Sequence, residues 1–240
     1  MLGMCSIGNE SSNECYNDST IPFPRKQKKK YTVVVEGNIG SGKSTFLNYF
    51  KNNSKSVQVL PEPVELWKSV RGHNTLDLMY KDAERWSLTF QSYVQLTMLQ
   101  NHVKKQIAPV KLMERSIYSA KYCFVENLFK GGKMPSIDHA VLSEWFDWIV
   151  KHERVNVDLI VYIRASPETC LERLKKRNRK EEAGVPLEYL ESLHELHENW
   201  LMYESPPLPA PVLVLDGNKD LSVLKDDFEK QRMDILCGYS

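Results

Sequence analysis

The sequence predicts an α/β fold: a five-stranded parallel sheet flanked by helices. Two observations predict it. Five short β-branched runs alternate with helical stretches, and a glycine-rich motif of the phosphate-binding kind sits between the first run and the first helix. At 240 residues, 42% hydrophobic and 26% charged, the chain suits one α/β domain with a real core.

Tyr31-Thr-Val-Val-Val-Glu36 reads as a buried parallel strand, followed by a glycine-rich turn and a helix through Phe46, Leu47 and Phe50. Val57–Leu60 is the second strand, ending at Pro61-Glu-Pro63. Helical spacing of Trp86, Phe90, Tyr93, Val94, Thr97 and Met98 predicts a long helix over about 84–106. Val110–Met113 is the third strand and leads into a helix rich in aromatics (Tyr118, Tyr122, Phe124), which Gly131-Gly132 breaks. Ser136–His152 forms the next helix and Asp158–Ile163 the fourth strand. Pro167 opens a helix, as its first turn permits, that runs into the basic stretch Arg173–Lys180. Helix resumes from Pro186 to Trp200, Pro206–Pro211 is a loop, Val212–Leu215 is the fifth strand, and a final helix follows.

Residues 1–30 read as a disordered polar tail ahead of a domain spanning 31–240. The basic run Arg25–Lys30 is better explained as a solvated linker than as a nucleic-acid patch. A net charge of +1 argues against duplex DNA or an anionic membrane as partner. Five scattered cysteines without a CxxC pair suggest reduced thiols inside a cell. The first 20 residues show neither a secretory signal nor an arginine-rich presequence, and no apolar run is long enough to span a bilayer. Cytoplasm or mitochondrion are the compartments expected.

Gly37-Asn38-Ile39-Gly40-Ser41-Gly42-Lys43-Ser44, with Thr45 after it, matches GxxxxGK[ST] between a predicted strand and a predicted helix. Its backbone N–H groups and the helix N-terminus suit phosphates. Lys43 is expected on the β- and γ-phosphates of ATP, and Ser44 on Mg²⁺. A GTPase would need DxxG, which is absent from the sequence, and NKxD, where Asn218-Lys219-Asp220 has its aspartate one position early. A small-molecule kinase is therefore the expected class. Glu62 after the second strand and Glu114-Arg115-Ser116 after the third fall at the same sheet edge as the loop, where a carboxylate beside a hydroxyl acts as general base. The basic segment at about 173–185 suits either a lid over ATP or a charged, solvated helix end. His194 and His197 are three apart rather than four, and no third ligand accompanies them, so a zinc site is not expected.

Several ordered blocks resemble the deoxynucleoside kinase family: Val35-Glu-Gly-Asn-Ile-Gly-Ser-Gly-Lys-Ser44, Pro61-Glu-Pro-Val64 with Trp67, Leu78-Met-Tyr-Lys-Asp82, Phe90-Gln-Ser-Tyr93, Met113-Glu-Arg-Ser116, Pro186-Leu-Glu-Tyr-Leu190 and Leu193–Trp200. The resemblance implies a P-loop kinase that phosphorylates the 5′-hydroxyl of a deoxynucleoside. It implies Glu62 as base, Arg115 orienting that carboxylate, and Glu114 helping to hold Mg²⁺. Gln91 would pair with the base edge, Tyr80 and Glu182 would hold the 3′-hydroxyl, and a ribose 2′-hydroxyl would have less room beside Tyr80. Trp67, Met79, Met98 and Phe124 would form an apolar slot. Arg173, Arg177 and Arg179 fall in the lid, where Lys175 departs from the family's usual pattern. Val94 and Ala120 stand where deoxycytidine kinases carry an arginine and an aspartate, which implies acceptance of thymidine as well as deoxycytidine. Purine entry stays open, because one methylene of pocket volume is worth only about 1–3 kcal/mol. A homodimer is implied too, and Trp145 and Trp148 read either as ordinary packing or as part of a helix pair buried in that dimer. The rival readings are a nucleoside monophosphate kinase, which would need extra cations for an acceptor phosphate, and a nucleic-acid-binding P-loop protein.

Overall fold

The computed structural model describes residues 29–239. The expected tail thus lies outside the described residues, apart from Lys29 and Lys30. Lys29 lies over the Tyr31 ring at 4.8 Å, and Lys30 Nζ donates to Gln106 O at 2.6 Å.

In chain order the elements are β1 (Tyr31–Glu36), α1 (Lys43–Asn53), β2 (Val57–Leu60), α2 (Val64–Trp67), α3 (Thr75–Lys81), α4 (Ala83–Val103) and β3 (Val110–Glu114). Then come α5 (Ile117–Ser119), a π-helical segment (Ala120–Val125), α6 (Glu126–Lys130), α7 (Ser136–His152), β4 (Leu159–Arg164) and α8 (Pro167–Arg177). A 3₁₀ turn (Lys180–Glu182), α9 (Leu187–Leu201), β5 (Val212–Asp216), α10 (Leu221–Lys230) and α11 (Arg232–Ile235) complete it.

All five strands are parallel, in the order β2-β3-β1-β4-β5. The pleat explains why they read as continuous apolar runs. Val33, Val35, Leu112, Val161 and Ile163 pack on one face with Phe46, Phe50 and Phe228 of α1 and α10. Val34, Met113, Ile160 and Tyr162 pack on the other with α4, α7 and α9 residues such as Met98, Phe146 and Trp200. β1 leads to β2 on one side, whereas its neighbour β3 leads to β4 on the other. The loops leaving these adjacent strands therefore diverge and open a crevice at the carboxyl edge.

Two departures from the sequence reading matter. α4 stops at Val103 rather than 106 because Lys104 turns extended (φ −55°, ψ 132°). The Gln106 amide instead donates to Tyr31 O, Ala108 O and Pro109 O, which fixes the loop into β3. Two short helices, α2 and α3, fill the stretch between Glu62 and α4. Asn74 and Asp82 cap α3 and α4 by accepting from Asp77 N and Arg85 N.

Candidate active site

The loop after β1 curls tightly for steric reasons. Gly37 has φ 137° and Gly40 φ 82°, and a Cβ there would come within 2.5 Å of Ile163 O and 2.6 Å of Cys170 O respectively. Asn38 pins the loop: its Oδ1 accepts from Ile39 N and its Nδ2 donates to Leu190 O of α9, both at 2.8 Å. Lys43 Nζ donates to Gly37 O (3.1 Å) and Asn38 O (2.7 Å). Burial, helped by Arg115, lowers the Lys43 ammonium to about 8, against the pull of Glu114 and Glu62. The amine therefore remains mostly charged at neutral pH, and phosphates would favour that form further.

Glu62, Glu114 and Arg115 converge on this loop from β2 and β3. Ser44 Oγ donates to Glu114 Oε1 at 2.8 Å, and Glu62 N approaches Glu114 Oε2 at 3.5 Å. Arg115 Nε lies 3.0 Å from Glu62 Oε1. That contact is ionic rather than well-angled, since neither Nε nor Nη1 of Arg115 makes a hydrogen bond among the described residues. Burial pushes the Glu62 carboxyl above the usual carboxylate range. Arg115 and Lys43 pull it back, and Glu114 adds to the rise. Such a carboxylate accepts a proton more readily at neutral pH than an exposed one. The Ser44 hydroxyl and Glu114 carboxylate are hard oxygen donors side by side. This short protein set suits Mg²⁺, which takes most of its ligands from phosphates and water.

A cavity of about 730 Å³ runs from the loop into the helical layer. Of the residues singled out in the sequence, Ile39 to Thr45, Glu62, Trp67, Met79, Tyr80, Gln91, Val94, Met98, Glu114, Arg115, Ala120, Phe124, Arg173, Arg177, Arg179 and Glu182 all line it. Gly37 and Asn38 do not; they shape the loop from behind. Lys175 is exposed and outside the lining. Trp67 is fixed by Nε1 donating to Thr97 Oγ1 at 2.9 Å and by edge contact with Phe90 at 5.6 Å. Gln91 is buried, and its Oε1 finds no partner among the described residues, so the cavity wall carries an unmatched amide acceptor. The π-helical segment carries Ala120 and Phe124, and the Arg115 guanidinium lies 4.5 Å over the Phe124 ring. Burial keeps Tyr80 well above the usual phenol range, hence a hydroxyl donor.

The segment expected to act as a lid leaves α8 at Asn178, a left-handed residue (φ 51°). Glu182 is buried, accepts from Arg179 Nη1 at 2.6 Å and pairs with Arg177. Its neighbour Glu181 accepts from Asn74 Nδ2 at 3.1 Å, joining the lid to the cap of α3, the helix that carries Met79 and Tyr80. Arg173 donates to Ser41 O at 3.1 Å. Sequence reasoning missed this Glu181 link, and it missed Tyr189 in the cavity wall, whose phenol burial pushes to about 12. The Tyr189 signal was present in the Pro186–Leu190 block; the Glu181 link had none.

Over residues 33–236 the sequence matches the deoxynucleoside kinase family. It is 56% identical over 213 residues to "Thymidine kinase 2, mitochondrial" of Homo sapiens, covering 88% of this chain and 80% of that protein. It is 39% identical over 236 residues to "Deoxycytidine kinase" of Mus musculus (86% and 90%), and 35% identical over 235 residues to "Deoxycytidine kinase 2" of Gallus gallus (85% and 88%). A match spanning nearly the whole described region, at this identity, makes the chain a member of the deoxynucleoside kinase family.

Proposed function

We propose that this kinase transfers the γ-phosphoryl of ATP to the 5′-hydroxyl of a deoxynucleoside, with thymidine and deoxycytidine as acceptors. The observation that carries the reading is that Glu62 and Lys43 open onto one cavity, bridged by Arg115 and Glu114. The acceptor oxygen attacks the γ-phosphorus as its proton passes to Glu62, and the bond to the β-phosphate oxygen breaks to release ADP. Arg115 steadies the developing charge on the acceptor oxygen. Ser44 and Glu114 would hold Mg²⁺, which would supply positive charge against that of the phosphates. Gln91 offers donor and acceptor to a base edge. Val94 and Ala120 leave apolar space beside it, as a 5-methyl group needs, and Tyr80 with Glu182 serves the 3′-hydroxyl.

Two wider proposals accompany this one. Ile137, Val141, Trp145 and Trp148 form an exposed stripe along α7, and Leu96 and Val103 are exposed on α4, which packs beside it. That stripe supports a homodimer, which Trp148→Glu should shift to monomer by light scattering after gel filtration. No helix of the described residues is long and apolar enough to cross a membrane; together with the mitochondrial relative, this supports a place in the mitochondrion or the cytoplasm.

The deciding experiment measures kcat/KM for the four natural deoxynucleosides and for thymidylate. Thymidine and deoxycytidine should lead, and thymidylate should trail thymidine by orders of magnitude. Preference for thymidylate would overturn the assignment in favour of a monophosphate kinase.

A further inference from the structure

One fully buried carboxylate has no task in the chemistry above. Glu36 ends β1 and is completely inaccessible to solvent. In the β1–β3 ladder Val35 stands opposite Glu114, so the next residues along, Glu36 and Arg115, are neighbours where the two strands end. Strand alternation sends Glu36 to the same face as Val34, toward the helices that enclose the acceptor side. Arg115 itself turns sharply here: its φ is 61°, and its N donates to Val35 O at 2.9 Å.

The partners of these two side chains are complementary in what they lack. Ser116 Oγ donates to Glu36 Oε1 at 2.6 Å, but Glu36 Oε2 is buried with no hydrogen-bond partner among the described residues. On the neighbouring strand end, Arg115 Nε and Nη1 are likewise buried without a well-formed hydrogen bond. A buried carboxylate with one oxygen left without a hydrogen bond is costly, so its persistence at this point needs a reason. Burial pushes the Glu36 carboxyl up to about 7, against the pull of Arg115, of the Ser116 and Ser119 hydroxyls and of Lys43. Glu62 holds the front of the guanidinium and Phe124 its flat face. Glu36, beside Arg115 where the two strands end, is a further carboxylate on which the guanidinium acts.

We propose that Glu36 is a positioning residue for phosphoryl transfer: a fixed counter-charge beside Arg115 that keeps the guanidinium in place when Glu62 turns from Arg115 to the acceptor hydroxyl. Glu62 cannot both hold Arg115 and take the proton without loosening one contact, and a second, immobile carboxylate removes that conflict. A plainer role, holding the Ser116 turn through the 2.6 Å hydrogen bond, needs only an acceptor oxygen. Glutamine supplies that oxygen and lacks the charge, so Glu36→Gln separates the two roles.

The inference rests on the roles given to Glu62 and Arg115, so the test carries its own reference. Steady-state rates with thymidine and ATP are measured for the full chain, Glu62→Gln, Glu36→Gln, Arg115→Lys and the double variant Glu36→Gln/Arg115→Lys. Glu36→Gln should lower kcat about 10- to 100-fold, as a small misplacement of a catalytic group does, with the KM for ATP changed by less than about threefold. In the Arg115→Lys background the same change should cost less than about threefold, because the two residues act as one unit. Glu36→Asp should recover part of the lost kcat. A Glu36→Gln enzyme within about twofold of the parent, or equal losses in both backgrounds, overturns the proposal. If Glu62→Gln is itself unimpaired, the underlying reading of the site has failed instead. Should Glu36→Gln not fold, Glu36→Asp against Glu36→Asn makes the same comparison at equal size, and equal kcat values refute it.

Discussion

Replacing Glu62 by glutamine probes the chemistry most directly. The amide keeps the volume of the side chain and still offers Arg115 an oxygen across the present 3.0 Å contact, but it cannot take a proton. A positioned general base contributes about 10²–10⁴ in rate, which at about 1.36 kcal/mol per decade is about 3–5 kcal/mol of barrier. The folded state loses less. The Glu62 side chain is 19% exposed, and Glu36 still acts on Arg115. Weakening one charged contact there costs about 1–2 kcal/mol, or a midpoint lower by about 2–8 °C for a domain of this size. At 25 °C the variant should therefore be folded, bind ATP nearly as the parent does, and turn over at least a hundredfold more slowly.

The assay is ADP release with thymidine as acceptor, run from pH 5 to 9 beside a nucleotide-binding titration. Glu62 must be ionised to act, and burial has raised its pKa, so the parent's rate should fall as pH drops through that raised value. The glutamine variant should lose the part of this limb that belongs to Glu62, keeping only the fall that protonation of Glu36 causes. A variant within about tenfold of the parent, with the acid limb intact, would mean that the proton leaves by another route.

Three further outcomes are expected of the same fold. The double substitution Val94→Arg/Ala120→Asp should lower kcat/KM for thymidine relative to deoxycytidine by about 10- to 100-fold, read by competition between the two acceptors. Trp200 is fully buried and its Nε1 has no partner among the described residues. Trp200→Ala should thus cost about 3–5 kcal/mol in denaturant unfolding, whereas Trp200→Phe, which also removes the stranded donor, should cost under about 2 kcal/mol. His102 is buried, accepts from Ile117 N through Nε2, and burial followed by Lys111 lowers it to about 3. The unfolded chain then binds a proton that the fold refuses between about pH 6.5 and 3, so this histidine erodes stability as pH falls through that window. Glu36 has the opposite sign, since the fold holds its proton up to about pH 7, and it offsets part of that slope. The difference in unfolding free energy between parent and His102→Gln should therefore change by about 1.4 kcal/mol per pH unit between pH 6 and 4, and a constant difference would refute a neutral buried His102.

What was legible in the sequence was whatever a local pattern enforces. β-branched runs that pack on both faces had to be buried parallel strands, and GxxxxGKS between strand and helix had to be a phosphate loop, because Gly37 and Gly40 tolerate no Cβ. What depended on long-range closure was not legible from the residues. The helices α2 and α3 are short, and the turn between them bends at Arg71 (φ 48°) and Gly72 (φ 93°), so neither shows a sustained period. Only the family resemblance marked Met79 and Tyr80 on α3. The π-helical register at Ala120–Val125 is a matter of backbone hydrogen bonding that side-chain spacing does not encode. Glu36 was overlooked because a charge at the end of a strand ordinarily faces water. Here the neighbouring strand end brings Arg115 and Ser116 over it.

The arrangement of charge explains why donor and acceptor sites are not independent. Glu36 and Glu62 face Lys43 and Arg115 in a poorly solvated space, so the state of both carboxylates depends on the same two cations. The proposed lid adds Arg177 and Arg179, both held by Glu182, the carboxylate proposed for the 3′-hydroxyl. Phosphates drawing these arginines over the loop would leave Glu182 short of donors just when a sugar hydroxyl can supply one. Conversely, a bound sugar eases the release of the arginines. Binding of ATP and of the deoxynucleoside should therefore be mutually favourable, by the reciprocity that any such coupling obeys. Glu182→Gln, which weakens the hold on both arginines, should shrink that synergy; an undiminished synergy would locate the coupling elsewhere.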